Sequence, residues 1–294
     1  MRGYRHWSAA AMAVVLLLVS PAPTASAAGP EPGGRILYLQ FDGSTGVYGA
    51  LKSVRPNGLD GQDFAMQLGF GASPDYSPDG NRIAYIQGYS LRTMASDGTD
   101  DRWLVDAPYG PAYPRWSPDG QWVVAESGGD IVAVHREGYP SGWVNLTETH
   151  GNNDLIAAWA PDGRHFATAV YPGIRVYSAD GVDMRSLNEM PGAYRLDWSP
   201  NGRVIAIEAL GDLWLVNAVS GTVRRLTNTP DVQEISPVWS PDGRWLAYGQ
   251  GPGVHDPELP GLTTDPMIWL MDANGHNRHS TGVHGLPSSW RAAA

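Results

Sequence analysis

The sequence holds 294 residues, 20 basic against 30 acidic, for a formal net charge of −10, and no cysteine. The acid excess argues against nucleic acid as a partner, because phosphate binding needs a basic footprint. The missing thiols exclude disulfides, thiol catalysis, thiolate metal sites and lipid attachment at a cysteine. Lys52 is the one lysine, the usage of a GC-rich bacterial gene.

The chain opens on an address. Arg2, Arg5 and His6 form a positive region, and Ala9 to Val19 an apolar run too short to span a bilayer as a helix. Ala25-Ser26-Ala27 then fits an A-x-A cleavage site. Residues 1–27 are expected to be a signal peptide and 28–34 a short segment before the fold. The mature chain is expected to be secreted or held outside the cytoplasm, in the cell envelope or periplasm. No later run is long and apolar enough for a transmembrane segment after cleavage.

Arg35 to Gln40 reads as a strand, Val47 to Arg55 as the next, Asn57-Gly58 as a turn and Phe64 to Leu68 as a third strand. A phrase then begins to recur. Its copies are Tyr76-Ser77-Pro78-Asp79-Gly80, Trp116-Ser117-Pro118-Asp119-Gly120, Trp159-Ala160-Pro161-Asp162-Gly163, Trp198-Ser199-Pro200-Asn201-Gly202 and Trp239-Ser240-Pro241-Asp242-Gly243. A repeat of about 40 residues built from short strands and tight turns is the signature of a β-propeller, one repeat per blade.

The turn chemistry explains the phrase. Proline presets φ at the first central position, Asp or Asn suits the second, and glycine accepts the positive φ that re-enters the next strand. The regular acidic residues could also suggest calcium, but each serves its own turn. A second, shorter set of turns at Asp97-Gly98, Asp180-Gly181, Ser220-Gly221 and Asn274-Gly275 joins the third strand of each repeat to the fourth. The second strands are nearly continuous apolar runs, such as Val204-Ile205-Ala206-Ile207 and Trp245-Leu246-Ala247-Tyr248, as expected where both faces of a sheet are covered. The recurring aromatics are expected to fill the space between blades.

The end of the chain supplies what the beginning lacks. Pro287-Ser288-Ser289-Trp290 matches the start of a repeat, whereas Arg35 to Gln40 looks like a second strand. Both ends should therefore complete one blade. The expected fold is all-β: a six-bladed β-propeller of four-stranded antiparallel blades over residues 35–294, its ring closed by a composite blade that leaves no open sheet edge.

The aromatic-Ser-Pro-Asp-Gly phrase, the second strands Ile83-Ala84-Tyr85 and Leu246-Ala247-Tyr248, and the ending Arg225-Leu226-Thr227 resemble the TolB-type propeller repeat. The resemblance spans nearly all of residues 35–294 and concerns the fold. TolB is an exported protein that works in an envelope complex through protein contacts, with an α/β domain ahead of its propeller. That amino-terminal domain is expected to be absent here, because only Ala28 to Gly34 precede the first strand. Similar propellers in some secreted lyases hold a metal on histidines at the central channel.

Candidate site residues fall on the face where blades connect and second-to-third-strand loops emerge. His150, Asn153 and Asp154 sit in one such loop, Asp231 and Glu234 in another, and His255, Asp256 and Glu258 in the longest, which stretches the last repeat by about ten residues. His150 and His255 are the candidate ligands for a divalent cation at the channel mouth, the alternative being a solvated loop. Asp75, Arg115 and Asp197 each precede a repeat aromatic and are expected at the channel, as a ligand site or as an internal ion-pair set. Gly138-Tyr139-Pro140-Ser141-Gly142 is not a nucleophile elbow, its serine lying one place late. These residues favour an exported, non-catalytic scaffold, expected to be a monomer, binding a protein, a cell-envelope component or another ligand. A metal-dependent enzyme of the polysaccharide lyase or glycoside type and a small-molecule sensor are the alternatives on the same face.

Overall fold

The computed structural model describes residues 32–41, 48–69, 71–106, 110–138, 142–148, 154–252 and 265–293. The signal-peptide region and His150, Asn153, His255, Asp256 and Glu258 lie outside the described residues. Six four-stranded antiparallel sheets account for every strand among the described residues. No described helix is long and apolar enough to cross a membrane.

Blade one is the composite. Its innermost strand is Leu286–Arg291, followed outward by Arg35–Phe41, Tyr48–Val54 and Gln62–Gly69. The two chain ends pair in register, with Arg35 opposite Arg291 and Ile36 opposite Trp290. Trp290 Nε1 donates to the Gly33 carbonyl at 3.0 Å and Arg291 Nη1 to that of Gly80 at 2.9 Å. Blades two to six run in chain order from inside to outside, their innermost strands being Asp75–Tyr76, Ala112–Trp116, Ala157–Trp159, Ala193–Trp198 and Val232–Trp239.

Each recurring phrase builds the same turn. Gly80 N donates to the Ser77 carbonyl at 2.7 Å, with Gly80 at φ 71°. Asp79 Oδ1 accepts from Ser77 Oγ at 2.5 Å and from Asn81 N at 3.0 Å. Blade five does the same with a neutral side chain: Asn201 Oδ1 accepts from Ser199 Oγ and from Arg203 N, both at 2.9 Å. The outer half of the repeat has its own clasp. Thr227 Oγ1 accepts from Leu213 N at 2.8 Å, and Asp212 pairs with Arg225, which accounts for the Arg-Leu-Thr ending. Thr147 and Asp130 repeat the arrangement in blade three.

The core lies between blades rather than within one. Ile174 and Val176 of blade four pack on Leu196 and Ile205 of blade five. Val238 and Leu270 of blade six pack on Ile36 and Trp290 of the composite blade. Tyr76, Trp116, Trp239 and Trp290 are buried in these seams. A buried aromatic of this size removes about 150–250 Å² from water, so one per blade contributes much of the inter-blade cohesion.

One feature of the innermost strands exceeds the sequence expectation. Their pairing slips by a bulge before the aromatic, between Ala112 and Arg115, Ala193 and Leu196, and Ile235 and Val238. Tyr113 and Ser236 there adopt φ 54°, and Ser73 φ 23°. A bulge re-aims a side chain relative to the regular alternation of a strand.

Candidate functional site

The bulges set the lining of the central channel. Tyr113 of blade three and Tyr194 of blade five reach across the ring, their hydroxyls 2.5 Å apart and their rings edge to face at 6.2 Å. The Arg195 guanidinium lies 5.5 Å from the Tyr113 ring centroid and 6.0 Å from that of Tyr194. At these distances the ring quadrupoles attract the cation. Beside them Glu208 is buried, with Oε2 accepting the Ser236 N–H at 2.9 Å. Burial pushes the Glu208 carboxyl up to about 7, against the opposing pull of Arg195 and the Ser236 N–H. Burial likewise raises Tyr194, helped by Tyr113.

The inner strands begin at this mouth and end at the recurring turns, so the mouth shares a face with the turns between second and third strands. Three of those turns present large apolar side chains to solvent: Tyr89 at 72% exposure, Tyr171 at 82% and Leu210 at 67%. Tyr89 lies against Gly110, and Leu210 against Gly192, each on the connection leading to the next inner strand. Blades two, four and five thus carry apolar tips on the face of the polar mouth.

Asp75, Arg115 and Asp197 line the opposite end of the channel, around a cavity of about 280 Å³ bordered by the prolines of the recurring turns. All three lie deep in the protein while keeping some surface open to the lumen. They do not touch one another. Asp75 Oδ2 accepts the Trp116 N–H at 2.8 Å and Oδ1 the Ser289 hydroxyl at 2.7 Å. Asp197 Oδ2 accepts the Trp239 N–H at 2.7 Å. Arg115 donates to the Ser73 and Pro114 carbonyls at 2.9 and 2.8 Å. Burial raises Asp75 and pushes Asp197 up to about 6, and lowers Arg115; attraction between the guanidinium and the two carboxylates opposes all three shifts.

The described loop candidates separate. Asp154 and Glu234 occupy the same place in their repeats, five residues before the aromatic, in blades four and six. Both are buried, their backbone N–H groups donating to Gly129 and Gly211 of the preceding blade at 2.9 and 3.0 Å. Asp154 accepts from Thr168 Oγ1 at 2.6 Å and from Tyr177 Oη at 3.0 Å. Burial raises Glu234, with Thr229 and Thr227 hydroxyls opposing. Asp231 is exposed, at φ 61°. Among the described residues no three His, Asp or Glu side chains group around a common point.

Sequence reasoning passed over Tyr113, Tyr194, Arg195 and Glu208. The available signal was position within the repeat: Tyr113 and Arg195 each stand three residues before the blade aromatic, where blades two and six carry serine.

Comparison with known proteins follows the fold. No family model matches the chain. It is 24% identical over 193 residues to the uncharacterized peptidase YuxL of Bacillus subtilis, covering 60% of this chain and 28% of that protein. It is 31% identical over 93 residues to the Tol-Pal system protein TolB of Anaeromyxobacter dehalogenans, covering 29% of this chain and 21% of TolB. The chain thus spans well under two thirds of the length of these relatives. The crystal structure of TolB from Acinetobacter baumannii superposes with a TM-score of 0.68 at 19% identity, covering 88% of this chain and 67% of that one. The putative TolB of Agrobacterium tumefaciens gives 0.66 at 19% identity, covering 89% and 94%.

Proposed function

We propose that this TolB-like six-bladed propeller is an exported, non-catalytic scaffold that binds a protein or cell-envelope component through the channel-mouth face. The observation that carries the reading is the exposure of Tyr89, Tyr171 and Leu210 on the same face as the Tyr113, Tyr194 and Arg195 mouth. Exposed apolar side chains gathered around polar groups mark interaction sites, and aromatic and arginine anchors dominate binding energy at such sites. Export rests on the amino-terminal charge, apolar run and Ala25-Ser26-Ala27 site. The Tol-Pal system named for one relative makes an envelope partner the first to test.

The test is capture from envelope extract by the immobilised protein, compared with a variant carrying Tyr89→Ala, Tyr171→Ala and Leu210→Ser. These side chains are largely exposed, so the fold should survive. Capture should fall by about tenfold or more, since each hot-spot truncation costs about 2 kcal/mol. Equal capture by both proteins would sink this assignment of the face. A metal-dependent enzyme would draw on His150 and His255, and its test is metal content of the purified protein before and after His150→Ala and His255→Ala.

A further inference from the structure

A further cavity lies on the other face, away from the channel. It is an open groove of about 750 Å³ between blades three and four, on the side of the recurring turns. Its floor and walls are apolar: Pro118, Trp122, Val144, Leu146, Trp159 and Pro161. Trp122 and Val144 remain 36% and 50% exposed, so the groove presents apolar surface to solvent. Part of the space comes from Ala133, because blades five and six carry Leu215 and Leu270 at the corresponding position.

Three carboxylates rim the groove, Asp119, Asp162 and Asp180, and among the described residues no Lys or Arg lines it. Each spends one oxygen on its own turn. Asp119 Oδ1 accepts from Ser117 Oγ and Gln121 N, Asp180 Oδ1 from Ser178 Oγ and Val182 N, and Asp162 Oδ1 from Arg164 N. The Ser117 and Ser178 hydroxyls hold Asp119 and Asp180 below the usual carboxylate range. Asp162 is partly buried, which raises it, yet the Arg164 N–H and His165 bring it below that range as well. Turn-making does not require this charge. Asn201 fills the place of Asp119 and Asp162 in blade five, with the two acceptor contacts that Asp119 makes.

We propose that this groove binds a linear aliphatic polyamine. An acidic rim over an apolar floor complements a methylene chain carrying ammonium groups, and aromatic faces add to the attraction for a cation. The volume falls in the range of small-molecule sites. A peptide backbone fits less well: the two prolines in the lining offer it no N–H, and an unpaired amide buried against them is costly, whereas a methylene chain has no such group to satisfy.

The test is isothermal titration of the full protein with spermidine, with 1,8-octanediol as the neutral chain and a blocked Leu-Lys-Leu peptide as the competing source of an ammonium group. Spermidine should bind saturably and more weakly as salt is raised, and the diol should not bind. Asp119→Asn and Asp180→Asn should each weaken binding by up to about fivefold, the range for an exposed ion pair. Ala133→Leu narrows the floor of the groove, leaves all three charges in place and should weaken binding; its melting temperature reports whether the fold is intact. Asp180→Asn lies in a different turn and reads the charge independently should Ala133→Leu fail to fold. Absence of saturable spermidine binding overturns the proposal. So does binding unchanged in folded Ala133→Leu and in Asp180→Asn, and so does tighter binding of the peptide, which would instead assign the groove to a protein partner.

Discussion

Asp197 of blade five accepts the backbone N–H of Trp239 in blade six at 2.7 Å, as Asp75 of blade two accepts that of Trp116 in blade three at 2.8 Å. Each carboxylate immediately precedes its own blade's aromatic and holds the next one. The aromatic that fills a seam is therefore positioned by the channel, and channel and inter-blade packing are mechanically one structure.

Removing the acceptor should loosen that seam. Asp197→Ala leaves the Trp239 N–H without its partner and should cost about 1–3 kcal/mol at pH 7. Asp197→Asn keeps a carbonyl oxygen in place without a charge to bury at pH 7 and should be clearly more stable than Asp197→Ala. Urea unfolding of the three proteins gives the comparison, and equal stability would mean the bond contributes nothing net.

Glu208 should make stability depend on pH. Its carboxyl is pushed up to about 7 in the folded protein against an ordinary value of 4.5, so between those values the folded state holds the proton more often than the unfolded chain. Stability from this group is then present below about pH 4.5 and is lost as pH rises through about 7, by on the order of 3 kcal/mol. Carboxylates in the turns, such as Asp79 and Asp119, are lowered and act in the opposite direction. The difference between Glu208→Gln and the parent isolates the effect: the gap in favour of the variant should widen from pH 5 to pH 8, and a constant gap contradicts the assignment.

Most of the architecture was legible because the physics behind it is local. The Pro-Asp-Gly turns, the apolar second strands and the matched ends each follow from neighbouring residues, and together they fix blade number and closure. The mouth was not legible in the same way. Tyr113 and Tyr194 are 81 positions apart and meet only once the ring is closed. The bulges that re-aim Tyr113 and Ser236 are backbone events with no side-chain signature. Glu208 follows Val204-Ile205-Ala206-Ile207 and reads as the end of a core strand. Asp154 and Glu234 looked like loop residues because polar neighbours surround them, yet the bonds to Gly129 and Gly211 draw both inside. Only position within the repeat links those two, and that reading would also have singled out Tyr113 and Arg195.

Two glycines should respond very differently to the same change. A Cβ at Gly181 would overlap the Leu146 carbonyl, and the residue sits at φ 77°. Gly88 sits at φ 62° with open space around it. Gly88→Ala should cost about 1 kcal/mol from backbone conformation alone. Gly181→Ala must also displace the end of blade three's outer strand and should cost several-fold more. Thermal melts decide, and equal shifts would contradict the packing at Leu146.

Ring closure should be cooperative. Trp290 is buried against Ile36, Val238 and Leu270 in the closing seam. Trp290→Ala should cost about 3–5 kcal/mol. Its effect should reach blade six as well as blade one, because Trp290 packs on both. Hydrogen exchange should show protection lost at Ile268 and Leu270 together with Leu37 and Leu39; loss confined to blade one would mean the ring is not closed by this contact.

A scaffold of this kind is defined by the face that meets its partner. A photo-crosslinking amino acid placed at Tyr171 reports the mouth face, and one at Val219, 84% exposed on a turn of the opposite face, reports the other. In cells of the source organism, adducts with an envelope protein should form from position 171 and be absent from 219. Adducts from 219 alone, or from neither position, would contradict a scaffold that works through its channel mouth.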